Sequence, residues 1–499
     1  MDMQFDRKPL PYLQKMTGQL RTQEQTLEVR LPDSLPDIGR VLGAWGQTVV
    51  RGKEWNGDTM SVSCGVMVWV LYTPEDEAGV RSVEAWLPFT MKWELPETCH
   101  DGKIMVSCLL RSVDARSISA RKLMVRATLG AMGEGWIPGQ AQVAVPEELP
   151  KDVELLTSTY PVLLPREAGE KAFLMEEELA LPSAGPKPEK LLYYSLQPEI
   201  VDKKVMAGKV VFRGNGMLHV LYRGEDDRLY SCDYDLPFSQ YGDLEGEYDQ
   251  DPGVTVCPCV TSLEVMLDDN GALQLKAGML GQYLLFDHSM ITVAEDAYSP
   301  NRILTLTEEE LQLPAVLDQT IQTVHAEQSM QADVRQIVDL AFYPAYGQSE
   351  YTDIQKGMAL PGQFQMLYYD PEGELCCQSI SWEGQWSTNA AGDTHVDSRV
   401  FAMGRPQAVP GVGTVELRTD VSVEAVITAG KGIPMLTGMD MGEPEKPSPN
   451  RPSLILCRKG DDRLWDVAKR TGSTVAQILE ANGLEEEPGR DKILLIPIQ

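Results

Sequence analysis

The residues of this chain whose chemistry could support catalysis or metal binding are cysteines, histidines and runs of acids, and their spacing is poor for either. Cys257-Pro258-Cys259 and Cys99-His100 put soft ligands side by side, and Cys376-Cys377 is a vicinal dithiol. A zinc site needs a full set of ligands at set spacing, and neither of the first two pairs has a second pair within range. Neighbouring residues of a strand point to opposite faces, so Cys376 and Cys377 would not chelate together. The histidines, His100, His219, His288, His325 and His395, are scattered. Glu176-Glu177-Glu178 and Glu308-Glu309-Glu310 could supply the paired carboxylates of a glycosidase. With 74 acids in the chain, chance proximity explains such runs as solvated faces and linkers. Walker A, H-E-x-x-H, G-x-S-x-G and C-x-x-C patterns are all missing. The expectation is a protein that is not an enzyme, with no catalytic residue, no metal and no cofactor.

Composition narrows the partners. The 499 residues are enough for three or four domains at about 150 residues each. The formal net charge of −30 repels nucleic acid and anionic membrane surfaces and attracts basic partners. The most apolar stretch, Val66-Met67-Val68-Trp69-Val70-Leu71-Tyr72, is too short to span a bilayer. Met1 to Lys8 lacks the basic-then-apolar pattern of a secretion signal. A soluble protein that stays where it is made, with no transmembrane segment, is expected. The nine cysteines, Cys64, Cys99, Cys108, Cys232, Cys257, Cys259, Cys376, Cys377 and Cys457, are odd in number, and several sit among apolar residues. Reduced, buried thiols are the expectation.

A pattern repeats three times in the first 440 or so residues. Val41-Leu42 is followed by Leu71-Tyr72, Leu191-Leu192 by Leu221-Tyr222, and Ile337-Val338 by Leu367-Tyr368, with the pair and the tyrosine 30 residues apart each time. The period is 150 and then 146 residues. Gly65, Gly216 and Gly362 precede the tyrosines and polar turns follow them, which reads as a hairpin. Later in each copy comes an alternating strand: Leu123, Val125, Ala127 and Leu129; Leu273, Leu275, Ala277 and Met279; Thr419, Val421, Val423 and Ala425. Period-two alternation gives one buried and one wetter face. The fold class expected is mainly β and multidomain. It comprises three antiparallel sandwich-like units, each with a short helix near its apolar pair, and a small C-terminal βααβ domain. The repeated tyrosines read as core, since the same fold needs the same filling three times. The units are placed at 1–137, 171–300 and 301–441. A Pro- and Glu-rich linker is placed at 138–170 and a Pro-rich tether at 442–452. The tether should hold the final domain, 453–499, away from the rest and free to dock.

That final segment is the most informative. Leu454 to Cys457 reads as a strand, and Leu464, Val467, Ala468 and Thr471 mark one face of a helix. Gly472 stops the helix, and Thr474 with Gln477 has capping spacing for a second. That second helix turns Val475, Ile478 and Leu479 inward, and Asn482-Gly483 ends it. Ile493 to Pro497 closes as a strand. The segment resembles the LysM family in Gly460-Asp461, Leu464 to Arg470, Gly472, Ile478-Leu479, Asn482-Gly483-Leu484 and Ile493 to Pro497. The resemblance implies a partner- or glycan-binding groove formed by Gly460, Asp461, Asp462, Arg463, Leu464, Asn482, Gly483, Leu484, Glu485, Glu486 and Glu487. The turn departs from the family pattern: it is one residue longer, and Asp462 or Arg463 replaces the threonine whose hydroxyl meets N-acetylated sugar. Asp462 could still cap the helix. Charge on both sides of the groove favours a protein partner over an uncharged glycan.

The opening of the first unit, Leu31-Pro32-Asp33-Ser34-Leu35-Pro36-Asp37-Ile38-Gly39-Arg40-Val41-Leu42, resembles the SPOCS domain of spore-coat proteins in endospore-forming Firmicutes. The second and third openings depart from it, with Pro186-Lys187-Pro188-Glu189 and Ala332-Asp333. SPOCS-like units followed by LysM resemble the spore-coat morphogenesis proteins over nearly the whole chain. That resemblance implies a coat-assembly adaptor in the mother-cell cytoplasm at the forespore surface. Its LysM would bind the coat-basement ATPase SpoIVA, with other coat proteins as further partners. An N-acetylated glycan of peptidoglycan or spore cortex is the alternative ligand.

Overall fold

The computed structural model describes residues 2–146, 149–181, 186–248, 252–268, 271–351, 355–390, 392–444 and 452–498. A short strand β1 (Asp2–Gln4) comes first. Six strands follow: β2 (Asp6–Arg30), β3 (Ile38–Asn56), β4 (Thr59–Pro74), β5 (Arg81–Glu94), β6 (Lys103–Ser119) and β7 (Lys122–Val145). The next six are β8 (Glu154–Leu179), β9 (Pro188–Met206), β10 (Lys209–Gly224), β11 (Leu229–Asp243), β12 (Gly253–Leu267) and β13 (Leu273–Tyr298). The last set is β14 (Leu304–Gln331), β15 (Gln336–Pro344), β16 (Ser349–Tyr351), β17 (Gln355–Tyr369), β18 (Leu375–Asn389), β19 (Thr394–Pro410) and β20 (Thr414–Met441). The chain closes with β21 (Leu454–Arg458), α1 (Leu464–Thr471), α2 (Val475–Ala481) and β22 (Ile493–Pro497).

The molecule is mainly antiparallel β, and one scheme of pairing occurs three times. β3-β4-β5, β9-β10-β11 and β15-β17-β18 are meanders. β2-β7-β6, β8-β13-β12 and β14-β20-β19 are sheets whose central strand is the late alternating one. The residues that alternate there are buried, with Leu123, Val125, Ala127 and Leu129 fully so. Register repeats as well. Val41 lies opposite Tyr72, Leu191 opposite Tyr222 and Ile337 opposite Tyr368, and each pairing is followed by a bulge. The three tyrosines are buried. The two sheets of each set face one another across an apolar core.

Two expectations need correction. The apolar pairs lie in strands β3, β9 and β15, and the described residues hold no helix outside α1 and α2. A pair that packs between two sheets has no use for a helical face. Residues 138–170 are not a linker: 138–145 continue β7 and 154–170 belong to β8. Their prolines suggested a linker, yet a proline is tolerated where a strand has a free side. β8 is an outer strand, and Pro138 lies beyond the point where β6 leaves β7, with only β2 opposite. β2 and β14, inside the units placed at 1–137 and 301–441, pair with the central strands of their sheets along their full length.

The long strands outrun their sheets and continue as two-stranded ribbons. Ala141, Val143 and Ala144 of the first ribbon meet Val162, Leu164, Ile291 and Val293 of the second. Leu311, Leu313, Ile433 and Met435 of the third complete this core, and the three ribbons form a stem. At the stem's tip β1 pairs with β20, so the first strand of the chain joins the last strand of the third set.

The sets also meet as a ring, and the expected apolar pairs mark its seams. Ser82 Oγ of β5 donates to Leu192 O of β9 at 2.6 Å, and Ser231 Oγ of β11 donates to Val338 O of β15 at 3.0 Å. At the third seam Arg40 Nη2 of β3 donates to Leu375 O of β18 at 2.7 Å. A buried pair ties all three sets together. Arg399 of β19 holds both oxygens of Glu134 of β7, at 3.0 and 2.7 Å, and reaches Thr255 Oγ1 of β12 at 3.2 Å. Both side chains of the pair are almost fully buried; Arg399 also lies 4.0 Å from Glu424, whereas Glu134 depends on Arg399 for compensation.

Candidate functional site

The C-terminal segment folds as β21-α1-α2-β22, with Leu464, Val467, Ala468, Ile478, Leu494 and Ile496 as its core. Gly472 adopts the left-handed conformation, φ 66°, that ends α1. Thr474 caps α2 by accepting from Gln477 N at 3.2 Å. At the start of α1 the cap position falls to Arg463, and Asp462 pairs with Arg470 at 3.3 Å instead of capping. Asp466 reaches back to Arg463 N at 3.2 Å.

The structure brings the two halves of the expected groove together. Glu487 Oε1 accepts from Leu464 N at 2.9 Å and pairs with the buried Lys459 at 3.1 Å. Gly460, Asp461, Asp462, Arg463, Gly483, Glu485 and Glu486 are exposed around this contact. Asp461 pairs with Arg490 at 3.5 Å. Three of the expected groove residues face inward. Leu464 is core, and Leu484 packs against it. Asn482 donates to Ile478 O at 2.7 Å and Leu495 O at 2.6 Å and accepts from Leu495 N at 2.8 Å, locking α2 to β22.

The expectation that this module hangs free is overturned. It is seated on the tip of the second ribbon. Tyr298 packs edge-on against Trp465, ring centroids 4.7 Å apart, and donates to Ser473 O at 3.0 Å. Asp296 accepts from Trp465 Nε1 at 2.8 Å and pairs with Lys469 at 2.7 Å. Partial burial would raise the Asp296 carboxyl, yet the bonds from Lys469 and Trp465 together outweigh it and hold the group below its ordinary value. This footing had no local signal, because Asp296 and Tyr298 lie far from the module in sequence. Most of the tether itself, 445–451, lies outside the described residues.

The thiols are unpaired. Burial pushes the Cys257 thiol up to about 11 and Cys259 higher still, the opposite of an activated thiolate. Cys376 and Cys377 fall into different cores, as opposite faces require. The scattered histidines include one that the fold makes distinctive. His219 of β10 stands between two carboxylates, Nδ1 2.8 Å from Asp233 and Nε2 2.9 Å from Asp339. Burial alone would lower its pKa; the charges of Asp339 and Asp233 outweigh that and raise it to about 10. Only tertiary pairing reveals this site, since its members come from β10, β11 and β15.

Against this geometry, residues 187–267 match the family model described as SipL, SPOCS domain. The chain contains a SPOCS domain. The match runs from the start of β9 to the end of β12, so it falls on the second unit rather than on the first, whose opening carried the resemblance. The SPOCS domain makes this a sporulation-related protein similar to SipL. No curated protein and no solved structure matches the chain. Among the described residues no helix is long and apolar enough to cross a membrane.

Proposed function

We propose that this protein is a non-enzymatic spore-coat assembly adaptor. Three SPOCS-like units form its scaffold, and a LysM-like module at its C-terminus docks on a basement-layer ATPase resembling SpoIVA. The site of action is the forespore surface in the mother cell. The observation that carries this reading is the SPOCS match in a chain whose C-terminal groove is lined with charge. The β-ring supports a scaffold role, because its seams are pinned by buried polar contacts and its cores are filled with apolar side chains. The Leu464 amide and the Lys459 ammonium are already satisfied by Glu487. That leaves little at the helix start for an acetamido sugar, while Glu485, Glu486 and Arg463 remain exposed for a charged protein surface.

Affinity capture from sporulating cells, with the full chain and with a chain lacking 453–499, tests the proposal. The basement protein should be captured by the first and lost from the second. Equal capture by both, or displacement of the partner by chito-oligosaccharide, would overturn protein docking through the module and favour glycan binding.

A further inference from the structure

The three seams of the ring use the same positions with different chemistry. Where the first set meets the second, Trp69 packs edge-on against Tyr193, centroids 5.4 Å apart. Where the third meets the first, Gln365 Nε2 donates to Ala44 O at 3.0 Å beside Gly43. In the repeat, Trp69, His219 and Gln365 are equivalent, and so are Gly43, Tyr193 and Asp339. At these equivalent positions, among the described residues, an ion pair occurs only between the second and third sets, His219 with Asp339.

A cavity lies beside that seam, where all three sets contribute to its lining. The bulges of β6 and β12 each insert one residue, Arg111 and Thr261, against the central strand. In β19 the register jumps from Met403 to Gln407, so Gly404, Arg405 and Pro406 stand opposite Thr419 alone. The enlarged bulge forms the rim of a cavity of about 460 Å³. Tyr193, Phe342, Tyr343 and Phe401 supply aromatic wall, and His219, Asp233, Asp339 and Arg405 supply charge. The volume is that of a small-ligand site, and such sites combine apolar walls with a few convergent polar groups.

Asp339 is the feature that asks for a ligand. Its side chain is 1% exposed. His219 Nε2 lies 2.9 Å from its Oδ1, and its Oδ2 has no hydrogen-bond partner among the described residues. A buried acceptor left this way is costly. Arg405 is shared by Asp233, at 3.6 Å, and Asp235, at 2.6 Å. Asp235 is exposed outside the cavity and draws Arg405 toward solvent, so within the lining His219 is the cation held between two carboxylates, Asp233 and Asp339. A carboxylate only accepts, an ammonium only donates, and aromatic faces attract cations. We infer that this cavity binds a small alkylammonium, its charged head on Asp339 and its chain along the tyrosine and phenylalanine walls. The site is independent of the C-terminal module.

Ligand-observed NMR on the full chain, in roughly 0.15 M salt to screen the acidic surface, tests the assignment. The probe is n-butylammonium and the neutral control is 1-butanol. Saturable binding of the ammonium with none of the alcohol is expected. Asp339→Asn should weaken it at least about tenfold, the scale of a lost charged hydrogen bond, and Glu177→Gln, which removes an exposed charge elsewhere, should leave it unchanged. Ser195→Leu, which fills the cavity and keeps the carboxylate, should also abolish binding, with circular dichroism verifying the fold of each variant. Absent or non-saturable binding to the unmodified protein, or equal binding of the alcohol, overturns the proposal without reference to any variant. Undiminished binding by folded Asp339→Asn overturns it as well.

Discussion

At the residue scale, single side chains here hold surfaces that lie far apart in sequence. Arg399 meets Glu134 and Thr255 out of solvent. Arg399→Met should therefore cost about 3–5 kcal/mol, since it strands the Glu134 charge; the double variant with Glu134→Leu should recover much of it, as read from urea denaturation. His219 gives a pH dependence of known sign. Its folded value is raised, so its contribution to the seam is complete below the ordinary histidine value of about 6.5 and is lost as pH climbs through about 10. Melting temperature should fall over that interval in the unmodified protein, and His219→Phe should flatten the dependence. Neither residue could be picked out from the sequence. Arg399 sits in an unremarkable polar context, and His219 has no histidine or cysteine near it in the chain. Their importance arises from strand pairing. The repeated tyrosines were legible, because burial at one register position demands the same bulky side chain each time.

At the element scale, the C-terminal module was readable almost residue by residue, since caps and helix faces are local. Its position was not. A Pro-rich tether suggests freedom, and the contact that removes freedom comes from β13. Replacing Asp296 with Ala together with Tyr298 with Ala should release the module, seen as a larger radius of gyration by small-angle scattering with the helical signal intact. The Asp296 carboxyl is held below its ordinary value, so its share of the footing is present above about pH 4 and fades as pH falls through the folded value. Acid should thus mimic the double variant. The groove loop divides by role. Glu485→Lys with Glu486→Lys should weaken partner capture and spare the fold, because both are exposed. Glu487→Lys should lower module stability by on the order of 1 kcal/mol, because that carboxylate caps α1 and pairs with Lys459. Strand ends were the least legible elements: prolines in β8 suggested a linker, and only the pairing with β13 shows it to be the outer strand of a sheet.

At the scale of the whole molecule, the three sets are bound into one body. A chain of residues 1–300, lacking the third set, would lose two of three seams and a third of the stem core. It should self-associate in sedimentation and melt well below the full chain; a well-behaved monomer with unchanged melting would show that closure contributes little. The threefold period was legible from spacing alone, whereas the ring was not, because its seams are written in backbone acceptors such as Leu192 O and Val338 O that any residue supplies. Closure by β1 on β20 has a consequence for how such a chain can change over generations. Repeat proteins that stack as open arrays can gain or shed a module at either end, provided capping repeats survive. Here each set already has a neighbour on both sides, and the rotation from one to the next is used up after three. An extra copy would have no seam to enter and a missing one would leave two unmet faces, so variation is confined to the interior of the copies. The seams record this, with an aromatic pair at one, an amide at another and an ion pair at the third.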